Sequence, residues 1–423
     1  MRSAPAAIAD RGSTPEARVL LASLHQDRTR LGESGIENLS ADQWARLVTL
    51  AGEQRVRPLV HQRLLESERW RQAPAEIWQR LEGECRAIAL RKIRMHAELA
   101  AILGALAELR IPAIVLKGAF LGPAVYRNIA LREMNDLDIM VPRDQLRVAV
   151  ELAAARGYAG VHPFSVEADA RAGHHVTRLV KAGVTGLEFH WNIVSPHEPT
   201  AIAAEALWQT ARPVQINGIE ALCLSREDLL LHLGVHASFL HQFEFGLRPA
   251  CDMAHVIAHY GTELDWDVVL RMAHGRGWAR GVAVALQLAR DFAGADVPQE
   301  AIRRMAPGDL GRPVELATQL AWSLPTEIRA FSVSLAPLVG GESLGRGLAA
   351  VCNRILLPRT QLTALYGIAE SSPWWRLLYG YRALDLVRRH AATAARLLAG
   401  RDGTMNELAS RRNQMRTWLS RVE

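Results

Sequence analysis

The chain has 423 residues, 49% of them apolar, and a formal net charge of +6. That length exceeds one ordinary hydrophobic core and predicts two or three packed units. The charge excess is a mild bias that suits an acidic ligand and argues against a dedicated polyanion binder.

Residues 1–17, rich in Ala, Ser, Pro and Arg, lack the continuous apolar segment of a secretory signal and read as a disordered lead-in. No stretch approaches the roughly 18 apolar residues of a membrane-spanning helix, so the expectation is a soluble chain, at most peripheral at a membrane. Cys85, Cys223, Cys251 and Cys352 lie far apart with no C-x-x-C pair. This points away from disulfides and cysteine zinc sites, toward a reducing, cytoplasmic compartment.

Residues 18–110 carry a helical pattern. Leu20, Leu21 and Leu24 open one stripe, and Ser40 stands as a cap before Trp44, Leu47 and Leu50. The best-formed helix spans about 85–109, with Ile88, Met95, Leu99, Ile102, Leu103 and Leu106 at three- and four-residue steps. Pro112 ends it, and the region reads as a helical scaffold that packs on the sheet beyond it.

At Ile111 the period changes. Residues 113–116 and 137–141 read as short buried strands; Gly118 leads the first into a helix, and Pro142 closes the second. A helix with Leu146, Ala149, Val150 and Ala153 stops at Gly157. Residues 176–180 and 187–190 are two further strands, parted by Lys181, Ala182 and Gly183. The predicted fold class is therefore α+β, with a small mixed sheet over 111–215 between helical regions.

Beyond Val214 the pattern is helical again through 216–306. Ser225 caps a helix with Leu229, Leu230 and Leu233, and further helices are predicted over 249–259, from Trp266, and over 277–292. Pro307, Gly308, Gly311 and Pro313 read as a linker to a last helical unit, 314–423. Its stripe of Trp374, Leu377, Leu378, Tyr381 and Leu384 precedes Arg388, Arg389 and Arg396. Core packing is the expected role of that stripe, with a membrane-surface segment as the alternative.

The chemistry gathers in the sheet. Asp136 and Asp138, two residues apart on a strand, point to one face. Carboxylates held this close repel unless a cation lies between them, and hard oxygen ligands suit Mg²⁺. Alone, such a pair is more often a solvated strand end. Its company changes the weighting: Glu188 supplies a third acid from a neighbouring strand, and Lys117 and Gly118 open a helix where backbone N–H groups can meet phosphate. Arg132 can fork onto a phosphate oxygen or pair with Asp136 or Glu133. His190 shares the Glu188 strand face and is open to either an acceptor-positioning or a packing role. His232 and His236 have the spacing of a zinc pair on a helix, but with no H-E-x-x-H and no third ligand they read as packing.

Taken together, Leu116-Lys117-Gly118, Tyr126, Arg132-x-Met134-x-Asp136-x-Asp138 and Glu188-x-His190-Trp191 resemble the uncharacterised nucleotidyltransferases of the DNA polymerase β-like superfamily. Leu231-His232-Leu233, His236, Arg248 and Asp252 extend the resemblance, which covers about 90–292. It implies a transferase that moves a nucleoside monophosphate from a nucleoside triphosphate to an acceptor and releases pyrophosphate. It further implies one or two Mg²⁺ ions, replaceable by Mn²⁺, on Asp136, Asp138 and Glu188. The usual Gly-Ser turn of the superfamily is here Lys117-Gly118-Ala119, which shifts phosphate binding onto Lys117, Gly118 and Arg132. His190, Arg248 and Asp252 are candidates for acceptor or supporting contacts, with Arg248 and Asp252 spaced as a helix ion pair. The acceptor, whether small molecule, peptide or protein, is not readable. An RNA end is the weaker alternative, since no basic stripe interleaves with stacking aromatics. A non-catalytic nucleotide-binding or regulatory protein is the other reading.

Overall fold

The computed structural model describes residues 14–162, 164–183, 186–196, 198, 201–323, 359, 362–363, 372–385, 388 and 403–420. Cys352, Arg389 and Arg396 lie outside them. The first helix, α1 (Pro15–Leu24), starts within the stretch expected to be a lead-in. Thr14 caps it by accepting from the Ala17 amide, and Ala17, Val19 and Leu20 are fully buried. Helix α2 (Ala41–Glu53) has a complete capping box, with Ser40 accepting from the Gln43 amide while the Gln43 side chain accepts from the Ser40 amide. After α3 (Arg57–Glu66) comes α4 (Ala75–Glu108), which starts nearly three turns earlier than its apolar pattern predicted. Its buried stripe of Leu81, Cys85, Ile88, Met95, Leu99 and Ile102 contains one charged member, Lys92.

The sheet is mixed, as expected, but larger. Strands β1 (Ile114–Val115), β2 (Asp136–Met140), β3 (Ala159–Gly160), β4 (Leu179–Val180), β5 (Gly186–His190), β6 (Arg212–Ile216) and β7 (Ile219–Cys223) lie in the order β3-β4-β5-β2-β1-β7-β6. Helices α5 (Lys117–Ala124), α6 (Leu146–Ala155), α7 (Val166–Ala172) and α8 (Ala204–Thr210) connect them. The centre is the parallel pair β2 and β5, in register from Asp136 opposite Gly186 to Met140 opposite His190.

The β6–β7 hairpin corrects the expectation of helix directly after Val214. Asn217 and Gly218 both have positive φ, +50° and +80°, as a two-residue type I′ turn requires. An Asn-Gly between alternating Val214, Ile216, Ile219 and Ala221 was the available signal. The hairpin joins the sheet through β7, which runs parallel to β1 with Ile114 opposite Leu222.

Helix α9 (Arg226–Val235) is capped by Ser225 and runs straight into a π-helical turn, His236–Leu240. Helices α10 (Arg248–Tyr260), α11 (Trp266–Gly275), α12 (Ala279–Ala293) and α13 (Gln299–Met305) come next. The Pro307–Pro313 break is short. Helix α14 (Gly311–Ala321) already includes Pro313 and packs on α12 through buried Leu316, Ala317 and Leu320. Further on, α15 (Gly403–Leu419) packs against α14. The stripe expected to be core is turned out: Trp374, Leu377, Tyr381 and Leu384 are exposed, and only Leu378 of the five is buried.

Asp228 ties the hairpin exit to the helices. Fully buried at the first turn of α9, it accepts from Ser225 Oγ (2.8 Å) and Thr210 Oγ1 (2.7 Å) and pairs with Arg276 (2.7 Å). Breaking a buried pair leaves a charge without compensation. Asp228→Ala should therefore lose roughly 3–5 kcal/mol of stability in urea denaturation, whereas Asp267→Ala, at an exposed pair with Arg304, should change little.

Candidate active site

Parallel register brings the acids of β2 and β5 together. Asp138 stands directly opposite Glu188, and His190 is two residues further along β5 on the same face. One oxygen of Asp138, Oδ1, is 2.9 Å from Lys117 Nζ and 2.8 Å from His190 Nε2. His190 Nε2 also lies 3.7 Å from Glu188. Burial alone would raise the Asp138 pKa, but the Lys117 charge and the His190 hydrogen bond outweigh it and hold the carboxyl well below its usual range. Glu188 moves the other way, raised by burial and by the like charges of Asp138 and Asp136. Burial lowers His190 to about 4, so its ring is neutral, and its Nδ1 is buried without a hydrogen-bond partner.

Asp138, Glu188 and His190 offer three donor atoms within 4.8 Å of one another, the single such group among the described residues. Asp136, the first residue of β2, lines the same cleft but stands outside that trio. The donor set fits a divalent cation. Two carboxylates press on each other, and the Lys117 ammonium already occupies the cationic position against Asp138.

Lys117 itself adopts a left-handed backbone, φ +43°, at the first turn of α5. A non-glycine residue holds that conformation only where its surroundings impose it, and such positions cluster at functional sites. Gly118 answers a different need. A Cβ there would come within 2.2 Å of the Arg132 guanidinium and 2.8 Å of Met134 Sδ, so glycine makes room for the arginine.

Arg132 is buried and forks onto Asp252, with Nη2–Oδ2 at 2.8 Å and Nε–Oδ1 at 3.2 Å. Tyr126 Oη donates to the same carboxylate at 2.9 Å. Asp252 was expected to pair with Arg248 one turn away. Instead it faces the sheet, while Arg248 donates to the carbonyl of Glu133 at 3.0 Å. The next two carbonyls are also held by cations: Lys92 Nζ donates to Met134, and Arg178 Nη2 donates to Asn135 at 2.6 Å. Gly186 makes room for Arg178 as Gly118 does for Arg132, since a Cβ would meet Arg178 Nε at 2.1 Å. Arg132 Nη1 also donates to the Glu133 carbonyl, at 3.3 Å, so the loop entering Asp136-x-Asp138 is fixed by three consecutive carbonyls on four basic side chains.

These groups line a cleft of about 410 Å³. Lys117, Arg132, Asp136, Asp138, Glu188, His190 and Arg248, all named from sequence, border it together. Gly118 and Asp252 stand behind its wall. Arg55, His174, His175, His236, His241 and Phe245 border it without having been singled out as site residues. His236 had a visible helix spacing to His232; Arg55, in the turn between α2 and α3, had no signal at all.

Burial lowers the Lys92 pKa to about 7, helped by the charges of Arg91 and Arg132. The unfolded chain then binds the extra proton between pH 7 and about 10.4, so this group's contribution to stability rises with pH across that window, by up to about 1.4 kcal/mol per unit. Lys92→Met should abolish that rise in urea denaturation curves taken at pH 6, 7.5 and 9. A variant with an unchanged pH slope would mean that the folded state leaves the Lys92 pKa where the unfolded chain has it.

No curated protein matches the chain. A family model described as uncharacterised nucleotidyltransferase matches residues 40–294, which run from α2 to α12 and include every cleft residue named above. The match begins further toward the N-terminus than the motifs did, and so takes in Arg55. With more than half of its length matched, cleft included, the chain belongs to the uncharacterised nucleotidyltransferase family.

Proposed function

We propose that the protein transfers a nucleoside monophosphate from a nucleoside triphosphate to an acceptor hydroxyl or phosphate, releasing pyrophosphate, with Mg²⁺ held by Asp136, Asp138 and Glu188. The observation that carries this reading is the in-register meeting of Asp138 and Glu188 in a cleft that also presents Lys117 and Arg248. Acids that need a cation and cations that need an anion, side by side, complement a metal–triphosphate. When bound, one or two divalent ions, Mg²⁺ or Mn²⁺, supply charge stabilisation at the oxygens that attack and leave phosphorus.

The chain's own groups do the rest. Lys117 and the first amides of α5 hold phosphate oxygens. Arg132, locked by Asp252, places its charge at the cleft wall without freedom to swing. The acceptor oxygen bonds to the α-phosphorus as the bond to pyrophosphate breaks, and Glu188 either completes the ion that lowers the acceptor's pKa or takes the acceptor proton directly. His190 keeps Asp138 oriented through its 2.8 Å hydrogen bond. The acceptor is a small molecule, a peptide or a protein; the mild overall charge argues against nucleic acid. Buried, unpaired Cys85, Cys223 and Cys251 suit a cytoplasmic setting. Among the described residues no helix is long and apolar enough to cross a membrane.

Incubation with labelled triphosphates, Mg²⁺ and cell extract tests the reading, with transfer of label to an acceptor as the expected result. Asp138→Asn should lower transfer on the order of 10³-fold, a loss of several kcal/mol of charge stabilisation, with the circular dichroism spectrum intact. Glu188→Gln should slow transfer by a similar factor, since holding the ion and taking the proton both need the ionised carboxylate. Wild type that binds triphosphate but labels nothing would point to a binding role instead.

A further inference from the structure

One part of the cleft is left unused by that chemistry. His236, Leu240, His241 and Phe245 line it from the π-helical turn and the loop after it. The His236 and His241 ring centroids are 4.4 Å apart, those of His241 and Phe245 4.0 Å, and those of His236 and Phe245 5.6 Å. All three rings are only partly buried. The guanidinium carbons of Arg55 and Arg248 lie 5.0 and 5.6 Å from the Phe245 centroid.

The backbone that carries this shelf is held in unusual conformations. A π-helical turn is rare and is found frequently at functional sites, and this one ends α9. Gln242 and Phe243 come after it with φ of +45° and +65°, and across the cleft Arg55 has φ +58°. Gly246, φ +69°, packs so closely on Gln54 that a Cβ would lie 3.0 Å from the Gln54 backbone. The shelf and the turn bearing Arg55 are therefore fixed against each other, although one comes from the helical region after the sheet and the other from before it.

His236 and Phe245 lie nearly parallel, 25° apart, with the His241 ring tilted against both by 58° and 41°, and the surface so built is uncharged. Burial drives the His241 pKa to about 3 and that of His236 well below its ordinary value, and the Lys117 charge pushes both in the same direction. Phosphate would be drawn to the ammonium and guanidinium groups instead. What neutral rings edged by planar cations accept is another flat ring, by stacking. His236, His241 and Phe245 line the same cleft as Lys117 and Asp138, so the shelf and the phosphate end belong together.

We propose that His236, His241 and Phe245, with Arg55 and Arg248 at the rim, seat the nucleobase of the triphosphate, an assignment that rests on the nucleotidyl-transfer reading. The acceptor, on this view, enters from the side of Glu188 and His175. The shelf would then distinguish nucleotides from other polyphosphates before any chemistry begins.

Titration calorimetry with the Mg²⁺ complexes of α,β-methylene-ATP and of inorganic tripolyphosphate tests it on wild type, Phe245→Ala and Phe245→Tyr. Wild type should bind the nucleotide at least about tenfold more tightly than tripolyphosphate, in line with one stacked base. Phe245→Ala should lose most of that preference and leave tripolyphosphate affinity unchanged, while Phe245→Tyr should keep it. Three results would overturn the assignment. Equal binding of the two ligands by wild type would leave the phosphate site standing without a base shelf. Full nucleotide affinity in Phe245→Ala would give the shelf to the acceptor. Equal weakening of both ligands would reduce Phe245 to a prop of the cleft. If wild type bound neither ligand, the nucleotidyl-transfer reading would fall first and take the shelf with it.

Discussion

Everything in the cleft depends on how the loop before β2 is held. Glu133, Met134 and Asn135 present three successive carbonyls, and Arg248, Lys92 and Arg178 each donate to one of them. The three donors come from α10, from α4 and from the segment entering β4. A backbone carbonyl satisfies a cation without adding a full negative charge, so the loop can gather positive charge beside Asp136 and Asp138 without burying more acids there. The helical regions before and after the sheet are thereby joined at the point where the acids begin. That arrangement gives a physical reason why the family match spans all three regions.

The same arrangement separates two kinds of arginine. Arg132 and Arg248 both border the cleft, yet Arg132 is saturated by a bidentate carboxylate while Arg248 is held by a single carbonyl contact and by the Phe245 ring. Burial, with the repulsion of Arg132, lowers the Arg248 pKa to about 9, whereas the Asp252 pair more than offsets burial at Arg132 and raises it. A buried guanidinium in a net positive field gains from an incoming anion, and one already paired gains less. Arg132 is thus part of the wall, and Arg248 is the more responsive to ligand charge.

What could be read from sequence came from local periodicity. Two-residue spacing placed Asp136 with Asp138 and Glu188 with His190, helical spacing placed the α4 stripe, and Ser40 and Ser225 marked their helix starts correctly. The α+β class rested on the same signals. Local rules failed wherever a partner lay far along the chain. Asp252 has a good helix partner four residues away, but takes Arg132, 120 residues distant, because the loop entering β2 brings that guanidinium to it with two-point geometry. Lys92 looked like an ordinary polar position in an amphipathic helix, since nothing nearby announces that Met134 waits behind it. Arg55 had no local mark because its role is set by the Phe245 loop, which folds back onto Gln54. The hairpin was the exception: its Asn-Gly turn was local and legible, and the helical reading of its surroundings hid it.

Asp138 shows why the site is poised for a ligand that carries both signs of charge. Its Oδ1 already serves Lys117 and His190, and Glu188 opposite it is pushed toward its protonated form by burial and by Asp138. A bare cation would relieve the acids and add to the field that already lowers His190, His236 and His241. A bare anion would relieve Lys117 and Arg248 and worsen the strain between the carboxylates. A cation and a polyphosphate arriving together relieve both sets at once, which is the electrostatic support for the proposed metal–triphosphate substrate.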